Sequence, residues 1–194
     1  MEAHPEYAEL DVGALLDRLT DLSPGPSSGS AAALVGAMAA AVVIMSARAS
    51  GNWAETGGAA AQAIVLRSKL TAQAREDAVA YAAAREELER AKAGGADDFR
   101  LADMLVRAAE VPIRIAETTC DVALLAEHVA ARGHPDTGPD AAAAAALAAG
   151  AAAAAAHLVS INLGATPDDE RVRRARTAAD TAAEAAQRAL SSAA

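Results

Sequence analysis

One aspartate in this chain sits where an acid/base group could work. At about 100° per residue, Leu66, Leu70, Tyr81 and Leu88 fall on one stripe of a helix. Asp77 lies inside that stripe, and Glu76 beside it points away. A carboxylate on a buried face must be paired, hydrogen-bonded or functional, because an isolated buried charge costs several kcal/mol. Two readings follow for Asp77: a buried ion pair with an arginine or a polar helix contact, or a group that moves protons.

A second candidate is the turn SPGPSSGS, Ser23–Ser30. It lacks the Gly-Lys-Ser/Thr ending of a phosphate-binding loop. Its small residues Ser27, Ser28, Gly29 and Ser30 allow close approach to a ligand. The open N–H groups of the helix they start can hold an anion or a polar ring edge. A plain serine cap after a turn accounts for the same residues equally well.

A third is GHPDTGPD, which gathers His134, Asp136 and Asp140 between two helical segments. No cysteine or histidine pair stands at i, i+4, and Asp140 is explained as a helix cap, so no metal is expected. The fourth segment carries Glu117, Asp121 and His128 opposite its apolar stripe of Leu101, Met104, Leu105, Ala108, Ile115, Val122 and Ala126. Those three read as solvated.

These residues need elements to position them, and proline and glycine mark out about six helices. The expected spans are Tyr7–Leu22, Ser30–Ser50, Ala59–Lys92, Asp98–Arg132, Ala141–Leu163 and a last helix to Leu190. Pro112 is expected to kink or split the fourth. Asp140 is the expected cap of the fifth, and Asp168 or Thr166 that of the sixth. The 194 residues suit one domain over the whole chain.

About a third of the chain is alanine, the best helix former and a poor strand former. No run alternates Val, Ile, Thr or aromatics, so the expected fold class is all-α: a compact alanine-rich helical bundle. Such a core buries little area per residue, and burial against a second copy is the usual remedy. A homodimer is therefore expected. The net charge of -9, with no basic stripe and 2% aromatics, argues against nucleic acid. Cys120 is the single cysteine and fits a reducing compartment. The opening MEAHPEYAELD lacks the basic and apolar regions of a signal peptide, so the expected location is cytoplasmic. Ala31–Ala47 and Ala141–Leu163 carry no formal charge, and both read as central helices enclosed by protein, not as membrane spans.

Four stretches together resemble the cyclodeaminase/cyclohydrolase family of folate enzymes. SPGPSSGSAAALVGAMAAA resembles its Pro-x-Pro-Gly-Gly-Gly-Ser turn. REDAVAY resembles its Asp-Ala-x-Ala-Phe/Tyr segment, placing Asp77 and Tyr81. AAEVPIRIAE resembles its Val-Pro-Leu-x-Ile-Ala segment. ARGHPDTGPDAAAAAALAAGAAAAAAHLVSINL resembles its Gly-Asn-Pro-x-x-x-Ser-Asp-Ala stretch leading to Asn-x-x-Ile-Asn-Leu, placing Asp140 and Asn162. The stretches occur in the family's order over nearly the whole chain.

The resemblance implies a helical bundle that pairs as a dimer. It implies cyclisation of formiminotetrahydrofolate with loss of ammonia, or hydration of methenyltetrahydrofolate. It also implies Asp77 and Asp140 as the catalytic carboxylates. Ser27, Ser28, Gly29, Ser30, Tyr81 and Asn162 would line the substrate pocket. The folate is the substrate, and no cofactor or metal is implied. A chain lacking a transferase domain leans toward the cyclohydrolase reaction. This sequence departs from the pattern in three places. Ser27 and Ser28 stand where the first two glycines should be. Asn52 and Trp53 replace a lysine after the second helix. AAAREELERAK replaces a Leu-Pro-Lys. Arg48 is then the expected source of positive charge for the folate tail. Those departures keep two other readings open: a non-catalytic relative that binds a ligand or an assembly partner, or an enzyme on a non-folate imine or amidine.

Overall fold

A computed structural model describes residues 10–20, 26–51, 53–92, 98–164 and 168–192. Six helices follow in order: α1 (Val12–Thr20), α2 (Ser28–Ala49), α3 (Thr56–Arg90), α4 (Asp98–Arg132), α5 (Gly138–Asn162) and α6 (Glu170–Ser192). A short 3-10 turn, Pro135–Thr137, leads into α5. No strand occurs among the described residues, so the fold is the expected all-α bundle. The expected start of the first helix at Tyr7 and its end at Leu22 lie outside the described residues. So do Ser23–Gly25, Asn52 and the Thr166 cap.

Several boundaries differ from expectation for local reasons. Helix α2 begins at Ser28 because Ser27, in extended conformation, is its cap and accepts from the Ser30 N–H at 3.1 Å. Asp140 does not cap α5. The Pro135–Thr137 turn runs directly into the helix, and Pro139 fits its first turn because its fixed φ is already helical. Asp140 therefore sits exposed inside that first turn, where its charge faces the positive end of the helix dipole. Asp169, not Asp168, opens α6, and its carboxylate accepts from the Arg171 N–H at 2.8 Å. Helix α4 is one helix, and Pro112 does not split it.

Helices α2, α3, α4 and α5 form the centre, with α6 laid against α4 and α5. The α2 and α5 helices run antiparallel. The Thr137 hydroxyl donates to the Ser46 carbonyl near the end of α2, at 3.4 Å, and Ser50 Oγ accepts from the His134 N–H at 2.7 Å. The core is alanine with a few aliphatics; Leu70, Ile115, Val43, Val122, Val129 and Val159 are its largest fully buried side chains. Alanine lets helix backbones approach closely, and Gly36 takes this furthest. Both α2 and α5 are long and apolar enough to cross a membrane by length and composition. In this fold two-thirds of the most apolar α2 window is buried against protein, and somewhat less than half of that in α5.

A Cβ at Gly36 would stand 2.5 Å from Thr119 Cγ2 and 3.1 Å from Leu70 Cδ1. Gly36→Ala is therefore expected to destabilise the fold by ~1–3 kcal/mol despite alanine's better helix propensity. Gly58→Ala on α3, where a Cβ meets nothing within 4 Å, is expected to stabilise by up to ~1 kcal/mol. Urea midpoints of the two variants check both signs; a stable Gly36→Ala would refute the close α2–α4 approach.

Candidate functional site

The site follows from a mismatch of helix lengths. Helix α3 has 35 residues and α4 has 35, against 22 in α2 and 25 in α5. The α2 start lies level with Asp77, so about 13 residues of α3, ~20 Å, project beyond it. The N-terminal part of α4 projects beside them. These two arms wall an open cleft of about 660 Å³, and the ends of α2 and α5 form its floor. Such a volume falls in the range of small-molecule sites.

Asp77 is set into the floor, 5% exposed. Ser27 Oγ donates to Asp77 Oδ2, and Ser30 Oγ lies 3.3 Å from the same oxygen. The Ser30 hydroxyl also reaches the Ala74 carbonyl at 2.8 Å. Hydroxyls thus hold the carboxylate, where an arginine partner was the alternative reading. The start of α2 adds the positive end of its dipole. Gly29 makes the approach possible, since a Cβ there would fall on the Asp77 carboxylate. Burial pushes the Asp77 carboxyl above its ordinary range. The hydrogen bonds from Ser27 and Ser30 oppose that shift without cancelling it.

The structure brings Ser27, Ser28, Gly29, Asp77, Tyr81 and Asn162 to one cleft, with Ser30 directly behind it. Tyr81 and Leu88 share the stripe with Asp77 but are not core. They are 49% and 40% exposed, because α2 stops level with Asp77 and, among the described residues, α4 covers only another face of the arm. Their rings and methyls instead give the cleft an apolar wall.

Arg48 and Asp140 do not join this cleft. Arg48 stands in the last turn of α2, about 20 residues and ~30 Å along the helix from Ser28. Asp140 is exposed at the same far end, three residues beyond Thr137, whose hydroxyl meets Ser46. A match of motif order says nothing about which end of the bundle a residue occupies. His128 is exposed as expected, but its ring lies tilted against Trp53, centres 5.3 Å apart, and it pairs with Glu55 at 2.8 Å. Glu117 pairs with Arg174 at 2.6 Å.

Sequence reasoning missed two cations at the cleft. Arg85 and Lys92 lie on the α3 arm and just past its end, Lys92 paired with Glu89 at 2.9 Å. Their spacing from Asp77 and Tyr81, steps of four, four and seven, keeps them near the same helical stripe. That spacing was the available signal.

The raised Asp77 carboxyl makes a stability prediction. The folded state holds the proton at pH values where the unfolded chain releases it, so Asp77 stabilises the fold most at low pH. That contribution is lost as pH rises above the ordinary aspartate range and through the raised value. Asp77→Asn is expected to gain melting temperature relative to wild type as pH goes from about 4 to 8. A pH-independent difference in thermal melts would contradict a desolvated carboxylate.

The sequence profile described as formiminotransferase-cyclodeaminase matches residues 11–192. The fold is similar to the crystal structure of formiminotetrahydrofolate cyclodeaminase from Thermotoga maritima. The TM-score is 0.81 at 24% identity, over 95% of this chain and 96% of that one. Comparison with curated proteins returns no match. The profile spans nearly the whole helical chain, from α1 to the end of α6, and so this chain belongs to the formiminotransferase-cyclodeaminase family.

Proposed function

We propose that the chain is a folate one-carbon enzyme that acts on the carbon between N5 and N10. The reaction is either hydration of methenyltetrahydrofolate or cyclisation of formiminotetrahydrofolate with loss of ammonia. One observation carries the reading: a desolvated carboxyl, Asp77, is set in the floor of a cleft whose α3 arm carries Tyr81 and Leu88 together with Arg85, Lys92 and the Lys92 partner Glu89. A flat ring with a cationic one-carbon end can face that carboxyl, and an anionic glutamate tail can reach Arg85 or Lys92 along the arm.

Each reaction gives Asp77 a defined step. In cyclisation, N10 adds to the formimino carbon and its own proton passes to the formimino nitrogen; protonated Asp77 gives that nitrogen a second proton, and it leaves as ammonia. The methenyl cation then faces the carboxylate. In hydration, water adds to that cation and the carboxylate takes the water's proton. The raised pKa suits both directions, because it brings the group toward the working pH.

A binding-only reading has one observation in its favour: Ser27 and Ser30 already occupy Asp77 Oδ2. Asp77→Asn separates the two. As an enzyme, the variant is expected to keep its helical circular dichroism and lose ~100-fold or more of turnover. The readouts are methenyltetrahydrofolate absorbance and ammonia release. Unchanged turnover, or none in wild type, would sink the enzyme reading and leave a ligand-binding relative or a non-folate substrate.

Assembly belongs to the same reading. Helices α2 and α5 expose Met38, Met45 and Leu147 along faces without formal charge. The net charge of -9 and the lack of lysine or aromatics among these residues disfavour an anionic bilayer as the cover. A second copy fits better, with both chains in a reducing, aqueous compartment. Light scattering is expected to give a dimer for wild type and a monomer for Met38→Arg. A monomeric wild type would refute the pairing.

A further inference from the structure

Pro112 leaves a mark inside the cleft. Proline has no N–H, so the carbonyl four residues earlier, Ala108, loses its helical donor. Ala108 is buried, and a buried carbonyl without a donor is costly. The donor comes from another helix: Asn162 Nδ2, on the last residue of α5, lies 3.2 Å from the Ala108 oxygen. Ala108, Pro112 and Asn162 all line the cleft that holds Asp77.

This contact settles the orientation of the Asn162 carboxamide. A carbonyl only accepts, so the NH₂ must face Ala108 and Oδ1 must turn the other way. Among the described residues, Oδ1 has no protein donor. We infer that Pro112 is a positioning residue. By removing its own N–H it keeps the Ala108 carbonyl free to hold Asn162, with Oδ1 presented to the cleft as an acceptor. The floor then offers two different acceptors, the Asp77 carboxyl and a neutral amide oxygen that selects an N–H on the ligand's ring edge. An ordinary residue at 112 would put its N–H on the same carbonyl, in competition with Asn162 for it. The ligand half of this inference rests on the folate reading above; the orientation of Asn162 does not.

The test uses Pro112→Ala, Asn162→Ala and the double variant, in the full chain. Pro112→Ala restores a helical hydrogen bond, so its thermal stability is expected to equal or exceed wild type. The Asn162 side-chain NH₂ signals, assigned by their loss in Asn162→Ala, are expected to be exchange-protected in wild type. In Pro112→Ala that protection should disappear. Titration with 5-formyltetrahydrofolate is expected to show ~5- to 10-fold weaker binding for each single variant, about one hydrogen bond. The double variant should be no weaker than Asn162→Ala alone, because one pathway is removed twice. An unchanged Asn162 NH₂ signal in Pro112→Ala would overturn the inference. So would additive binding losses, or a released amide with undiminished binding. If wild type does not bind this folate, the functional proposal falls, and the NH₂ signals still decide what orients Asn162.

Discussion

The structure turns on a carboxylate pressed against the start of a helix. Asp77 meets Ser27, Ser30 and the first turn of α2, and Gly29 leaves the room for it. Removing a carboxylate from water is costly, so the contact tolerates little misplacement. It sets the register of α3 on α2: Ala74, one turn before Asp77, accepts from the Ser30 hydroxyl. Of the two serines that stand where the resembled turn has glycines, Ser27 puts its hydroxyl on the carboxylate. The carboxyl stays proton-hungry because burial outweighs those bonds.

That register, combined with unequal helix lengths, creates the cleft. Since α3 meets the α2 start at Asp77, everything beyond that point on α3 must project. The projecting stripe interleaves apolar and charged groups, running from Tyr81 through Arg85 and Leu88 to the Glu89–Lys92 pair. Exposed aromatic and aliphatic groups would be a liability on a plain surface. In a cleft they form the wall against which a flat ligand can lie. The floor adds polar groups of its own, where helix ends offer unpaired ones.

The far end of the bundle is organised by a different economy. Ser50 bonds back to the Ser46 carbonyl and accepts from the His134 N–H, tying the α2–α3 turn to the α4–α5 turn. Between the two ends the packing is mostly alanine, which permits short interhelical distances but buries little area per residue. The faces of α2 and α5 that point away from the bundle remain apolar, and this is where a core built from small side chains can be extended.

The sequence by itself determined the number of helices, most of their extents and the burial of Asp77. Those follow from local rules: propensity, breakers and angular position around one axis. The family pattern, carried by short motifs in order, was also legible. Only the tertiary structure decided that Tyr81 and Leu88 line a cleft and not a core. Periodicity gives the direction of a side chain but not whether a neighbour is long enough to cover it. It also decided that Arg48 and Asp140 stand at the end opposite Asp77, while Arg85 and Lys92 share its cleft. Motif order along a chain carries no information about which helix ends meet. The bond between Asn162 and Ala108 lay equally out of reach, because the donor that replaces a proline's missing N–H comes from whatever helix end the fold brings there.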